Sequence, residues 1–307
     1  VDPDAFAEGK MRLNTKAAED AMTQDVGQPL GISAHQAAFG VTEMVEENMA
    51  NAARIHSVEH GVDLSHFSMI AFGGGGPLHA VRLAEKLGMN RVIVPANSSV
   101  GSALGFLSAP ISYEVVQSLY TTLTDFNLAR VNDVLSSISA QAHEIVVAGA
   151  KDTELVESRT AFMRYVGQGH EIQVPIPARG LTAADIAAIK STYDRCYRQL
   201  YGRLIPGRDI EVLSWSVVVS THVEAPLALS EAPEPNTAVP SGVRAVSVPT
   251  QTGFQTVPTF WRPDLKSGDT LRGPVLVEEP QTTTFVTGHF SGHLDGKMNL
   301  ILDRIAP

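Results

Sequence analysis

The chain has 307 residues, 44% of them hydrophobic, and a formal net charge of −10. That length exceeds what one core usually serves and predicts more than one domain, while the spread of acidic residues excludes nucleic-acid binding through a broad basic face. No apolar stretch approaches the ~20 residues of a membrane helix, no signal-peptide pattern opens the chain, and the single cysteine, Cys196, excludes an internal disulfide and agrees with a reducing cytoplasm.

The chain begins at Val1 in a polar segment with Pro3, so it is expected to be a piece of a longer polypeptide. From Ser33 to His60, Val41, Met44, Val45, Met49, Ala52 and Ile55 recur at helical spacing and predict one face of a long helix. Ser33-x-x-Gln36 supplies its capping box and Gly61 its stop. A short apolar run at 68–72, a helix over 77–87 ended by Gly88, and a strand at 91–95 make a strand, helix, strand unit. Such a crossover should be parallel, with ligands outside the carboxyl ends of its strands.

At that end stands Phe72-Gly73-Gly74-Gly75-Gly76-Pro77-Leu78-His79. Four glycines in a row remove every Cβ from the turn, so backbone N–H groups can close on an anionic or planar ligand at a helix N-terminus, which points to a nucleotide. The run is not a Walker loop, since no Gly-Lys-Ser/Thr follows, and His79 stands where the dinucleotide fingerprint needs its third glycine. Its plain alternative is a tight turn that lets helix and strand pack closely. The loop Asn97-Ser98-Ser99-Val100-Gly101-Ser102 follows the second strand at the same edge, so two small-residue loops flank one crevice.

After Pro110 the character changes. Leu128, Val131, Leu135, Ile138, Ala142 and Ile145 make 125–148 an amphipathic helix, and 157–177 reads as a hairpin turning at Gly167-Gln168-Gly169. A second helix runs from the Thr182-x-x-Asp185 cap through Ile186, Ile189, Tyr193, Tyr197 and Leu200 to Gly202. A strand follows with Leu213, Trp215, Val217, Val219 and Thr221 on one face. Pro226, Pro233, Pro235 and Pro240 mark an extended connection, and short strands fill the remainder. The expected domains are 1–115, 116–225 and 226–307.

Several side-chain groups invite a chemical reading. His56-Ser57-Val58-Glu59-His60 fits a zinc-protease signature, but its histidines fall in the last turn of a helix, where the helix dipole favours them anyway. His289 and His293 lie among turn residues and are expected to be solvated. Cys196 is expected to be a packed thiol on the apolar side of its helix. No Gly-x-Ser-x-Gly elbow is present. Arg164, Tyr165, Gln168, His170 and Glu171 gather around the hairpin turn, a place where binding groups collect and where plain solubility also puts polar residues.

The order of these motifs carries a resemblance. The segments 72–79, Ala84-Glu85-Lys86-Leu87-Gly88, Val92-Ile93-Val94-Pro95, Ser102-Ala103-Leu104-Gly105, Met163-Arg164-Tyr165-Val166-Gly167-Gln168-Gly169 and Gly273-Pro274-Val275-Leu276-Val277-Glu278-Glu279-Pro280 together resemble the hydantoinase A and 5-oxoprolinase family, across nearly the whole chain. The resemblance implies an α/β plus α+β architecture: part of a nucleotide-binding domain like that of actin, Hsc70 and the sugar kinases, followed by a β-rich carboxy-terminal domain. It implies ATP and Mg²⁺ as cofactors, and chemistry in which phosphorylation activates a cyclic amide for hydrolysis or, in the ketone carboxylases, a ketone. Gly73, Gly74, Gly75, Gly76, Pro77 and His79, with Ser98 and Ser99 at the same sheet edge, would serve the adenosine side of ATP. Arg164, Gln168 and His170 would be the substrate-side candidates, and no residue is assigned to a metal. Expected partners are the amino-terminal half of the hydantoinase A type subunit, whose Asp-Gly-Gly-Thr type phosphate loops have no counterpart here, and a hydantoinase B type subunit. Gly75 stands where the family commonly has alanine, and His60 where it has arginine. A non-catalytic assembly module is the competing expectation.

Overall fold

The protein was described from a computed structural model covering residues 3, 4, 6, 9–150, 153–222, 234–247 and 253–305. In chain order the helices are α1 (Thr15–Ala21), α2 (Gln28–Leu30), α3 (Ala34–His60), α4 (Gly76–Leu87), α5 (Gly101–Ser108), α6 (Leu128–Gly149) and α7 (Ala183–Tyr201). The strands are β1 (Ser68–Ile70), β2 (Arg91–Val94), β3 (Ser112–Thr122), β4 (Leu155–Tyr165), β5 (Ile172–Ile176), β6 (Ile210–Thr221), β7 (Asn236–Thr237), β8 (Gly242–Ser247), β9 (Phe254–Trp261), β10 (Asp269–Arg272), β11 (Val275–Glu278), β12 (Thr283–Val286), β13 (Phe290–Leu294) and β14 (Leu300–Arg304). They gather into two compact units, one of residues 1–107 with 227–307 and one of residues 108–226.

In the first unit, β1 and β2 are parallel and joined through α4, as their spacing requires. The sheet does not end there. β14 pairs antiparallel with β2, bringing Leu300 opposite Val94 and Asp303 opposite Arg91, and the six-stranded order is β1-β2-β14-β13-β10-β7. The strands expected to form a separate domain from 226 onward therefore share a sheet and a core with 68–94. Val92, Val94, Leu300 and Leu302 are all fully buried in that core, and burial of each leucine contributes about 2 kcal/mol. A second sheet, β12-β11-β9-β8, belongs to the same unit.

Helix α3 follows its capping signals: Ser33 Oγ accepts from Gln36 N at 3.2 Å, Gln36 Oε1 accepts from Ser33 N at 3.0 Å, and Gly61 closes the helix in a left-handed conformation. Its packing departs from the periodicity. The expected apolar face is largely uncovered, with Met44 68% and Ile55 62% exposed, and the side turned to α4 carries charge. Glu43 accepts from Arg82 at 2.6 Å and from Lys86 at 3.0 Å, and Arg54 bonds Glu47 at 2.7 Å. These bonds act on the titrations: hydrogen bonding to Glu43 holds Lys86 above its ordinary value, and Arg54 with Lys86 holds Glu47 below its own. Ion pairs thus join α3 to α4 while the apolar stripe lies open.

In the second unit, β3-β6-β4-β5 form an antiparallel sheet whose core also takes residues of α6 and α7. The hairpin and both helices stand where the sequence places them. Strand β6 corrects the expected face. Phe162 pairs with Ser214 and Met163 with Val212, so Leu213 is an extra residue bulged out of register, and Ile210 and Val212 reach the core in its place beside Trp215, Val217 and Val219. Leu200, expected on the buried face of α7, is 64% exposed. Cys196 packs half-buried against the core.

Candidate active site

Beyond β1 the backbone turns through the glycine run into α4. Gly73 has φ 90°, a left-handed conformation that a side chain resists, and its N–H donates to the Ser98 carbonyl at 2.9 Å. Sterics do not require the next glycines. A Cβ on Gly75 would meet nothing within 4 Å, and one on Gly74 would lie 3.6 Å from the Gln281 carbonyl. The backbone N–H groups of Gly74, Gly75 and Gly76 donate to no group among the described residues, so the start of α4 presents unpaired donors at the positive end of its dipole.

A loop from the far end of the chain completes the site. Thr282 Oγ1 donates to the Gly74 carbonyl at 2.7 Å, and Gln281 Oε1 accepts from Ser99 Oγ at 3.2 Å. Buried Arg262 fixes this loop, giving Nη1 to Glu279 at 2.6 Å and Nη2 to the carbonyls of Val94 and Met298 at 2.8 and 3.0 Å. Gly74, Gly75 and residues 279–283 enclose about 130 Å³, with Leu78, Trp261 and Glu278 in the wall. Whole small-molecule sites usually need ~300 Å³ or more. This cavity has room for only part of a small molecule.

The expected nucleotide residues therefore divide. Gly74 and Gly75 line the cavity while Gly73 and Gly76 flank them in the turn, Ser98 is wholly buried and accepts through its carbonyl, and Ser99 reaches the site only through Gln281. Pro77 is buried at the start of α4. His79 faces elsewhere: its Nδ1 lies 3.2 Å from Glu46 Oε1, and it lines a second cavity between α3, α4 and β8. The sequence reading missed Arg262, Glu279, Gln281 and Thr282; the only signal was the motif ending at Pro280, which stops one residue short of Gln281.

The substrate-side candidates lie in the second unit, where Arg164 and Gln168 take part in its own hydrogen bonding. Arg164 Nε donates to buried Glu211 at 2.6 Å across the β4–β6 pair. Gln168 gives Nε2 to Tyr197 Oη at 2.7 Å and closes the hairpin turn by donating its N–H to the Tyr165 carbonyl at 3.0 Å. His170 is exposed. His56, Glu59 and His60 do converge within 4.8 Å, all exposed, with His60 Nδ1 bonded to the His56 carbonyl at 2.9 Å. His289, expected to be solvated, is exposed but sits 3.1 Å from Glu85, which Thr287 also bonds. Among the described residues no helix is long and apolar enough to cross a membrane.

The sequence profile of the hydantoinase/oxoprolinase family matches residues 1–115, and that of the hydantoinase/oxoprolinase C-terminal domain matches residues 127–304. The chain belongs to the hydantoinase/oxoprolinase family. It is 28% identical to the caprolactamase subunit alpha of Pseudomonas jessenii over 95% of its own length and 43% of that protein. Two solved structures resemble it: the ATP-dependent caprolactamase of the same organism (TM-score 0.72, 27% identity, 96% of this chain and 44% of that one) and a nucleotide-free acetone carboxylase studied for ATP-dependent acetone carboxylation (TM-score 0.80, 24% identity, 99% and 45%). This family member thus spans less than half the length of the relatives it matches.

Proposed function

We propose that this chain forms the adenosine-side half of an ATP site in an enzyme subunit that activates a cyclic amide for hydrolysis. The observation that carries the reading is the row of unpaired N–H donors at Gly74–Gly76 beside a cavity that Gly74 and Gly75 line together with Trp261 and Gln281, with open space where a Cβ on Gly75 would stand. Such donors suit ribose hydroxyls or ring nitrogens, and the parallel crossover with its glycine loop fits part of an actin-like nucleotide-binding domain. Bound Mg-ATP would supply the phosphoryl group, its charge stabilised by metal and backbone donors. Glu278 and Glu279 are held by Arg244 and Arg262 at 3.0 and 2.6 Å, and on this reading the phosphate and Mg²⁺ ligands lie mostly outside this chain.

The partners follow from the same reading: a polypeptide matching the remainder of the relatives' length, supplying the phosphate loops, and a hydantoinase B type subunit. The uncovered apolar stripe of α3 supports such a partner, since exposed apolar patches mark interaction sites. The free thiol of Cys196 supports a reducing, cytoplasmic setting.

The test is ATP hydrolysis by the reconstituted complex with hydantoin, 5-oxoproline or caprolactam, against acetone plus bicarbonate. Stimulation by a cyclic amide is expected, and negligible turnover by this chain alone. Stimulation only by the ketone with bicarbonate overturns the amide assignment in favour of a carboxylase. Absence of ADP binding to the reconstituted subunit overturns the nucleotide assignment and leaves an assembly module.

A further inference from the structure

Helix α4 turns one side to the glycine cavity and the other to a larger one of about 410 Å³, within the ~300–1,000 Å³ range of small-molecule sites. Its walls are mainly apolar, with Phe39 of α3, Phe254 of β9, Leu276 of β11 and Phe285 of β12. Set among them is a carboxylate and imidazole pair. Glu46 is 3% exposed, and its Oε1 engages His79 Nδ1 at 3.2 Å. Its Oε2 is buried without a hydrogen bond, the nearest cation being Arg82 Nε at 3.5 Å. A buried acid on a stripe of ion pairs would ordinarily be fully bonded.

The pair has a direction. A carboxylate on Nδ1 selects the tautomer with its proton there, leaving the Nε2 lone pair as an acceptor. The His79 side chain is 26% exposed, and its Nε2 has no hydrogen-bond partner among the described residues. Of the donors nearby, Arg82 gives Nη2 to Glu43 at 2.6 Å and Nη1 to Glu85 at 2.8 Å while its Nε is buried without a hydrogen bond, Arg244 pairs with Glu278 at 3.0 Å, and His35 is paired with Ser247 at 3.2 Å. A cavity whose aromatic and aliphatic walls surround an acceptor facing open space asks for an apolar ring that carries an N–H.

We infer that this second cavity binds a small cyclic amide, its ring among Phe39, Phe254, Leu276 and Phe285 and its N–H on His79 Nε2, with Glu46 as the positioning residue. The choice of a cyclic amide rests on the functional reading above, whereas the demand for an apolar N–H donor rests on the cavity. His79 thereby receives a role apart from the nucleotide.

Ligand-observed NMR titration of the reconstituted subunit with ε-caprolactam and with N-methyl-ε-caprolactam tests this, because the methylated lactam keeps the ring and lacks the N–H. Saturable caprolactam binding is expected, at least tenfold tighter than that of the methylated lactam. His79→Ala should weaken it at least tenfold, and Glu46→Gln, whose amide oxygen still accepts from Nδ1, less than threefold. Circular dichroism confirms folding, and Phe254→Ala, on an exposed rim position, should weaken both lactams alike even if the His79 variant fails to fold. Equal affinity for the two lactams, absence of saturable binding, or unchanged affinity in folded His79→Ala overturns the inference. ADP titration in the same samples separates the two readings: lost lactam binding with intact ADP binding sinks only this one, and the converse sinks only the nucleotide assignment.

Discussion

Gly75→Val isolates the ligand role of the glycine run from its structural role. Gly75 caps α4 at φ −93° and ψ −17°, a backbone that any residue adopts, and a Cβ there meets nothing within 4 Å. Two effects on stability oppose each other. Valine is a poorer helix cap than glycine by about 1 kcal/mol, and a β-branched residue restricts the unfolded chain by roughly 0.4–1 kcal/mol in its favour. The net effect is under about 1 kcal/mol, a melting shift of only a few degrees in a unit of this size. Binding should respond differently, because the isopropyl group fills the space in front of the unpaired N–H groups. If the adenosine side of a nucleotide rests there, ADP affinity of the reconstituted subunit falls at least tenfold, about 1.4 kcal/mol. Isothermal titration calorimetry beside a thermal melt reads both quantities. Gly73→Ala supplies the contrast: at φ 90° it costs about 1–2 kcal/mol of stability whether or not a ligand exists. A folded Gly75→Val variant with wild-type ADP affinity refutes the nucleotide assignment for this loop.

Three further outcomes are expected. Arg262→Met removes buried Arg262 and leaves part-buried Glu279 without its 2.6 Å partner, which should cost about 3 kcal/mol in urea unfolding, with part of the loss recovered when Glu279→Gln is added. Trp215 is fully buried and donates Nε1–H to the Leu119 carbonyl at 3.1 Å, so Trp215→Ala should destabilise the second unit by about 3–5 kcal/mol, whereas Leu213→Ala, at the bulge, should cost under about half of that. Asp185 is held well below the usual carboxylate range by hydrogen bonds first from Arg179 and then from Thr182. A depressed folded-state pKa means that its contribution is present above the ordinary aspartate pKa and is lost as pH falls below it. Asp185→Asn should therefore lower the melting temperature more at pH 7 than near pH 2, where only part of the contribution remains, and equal effects at both would contradict the assignment.

What the sequence determined by itself was local. Helix starts and stops, the crossover around the glycine run and the hairpin turn at Gly167-Gln168-Gly169 all depend on residues within a few positions of one another, and capping and left-handed glycines are readable there. The order of motifs also sufficed for the family. Tertiary structure decided everything that joins distant segments. Thr282 and Gly74 stand 208 residues apart and Asp303 and Arg91 212 apart, and no periodicity encodes such partners. The face of α3 was legible as apolar, yet its charged side packs on α4, because Arg82 and Lys86 offer ion-pair partners that helical spacing alone does not reveal. The bulge at Leu213 likewise depends on the neighbouring strands, where two-against-one pairing overrides simple alternation. His79 shows the division most plainly: its place after the glycines marked it for the nucleotide, and the carboxylate of Glu46, 33 residues earlier in the chain, turns it toward another cavity.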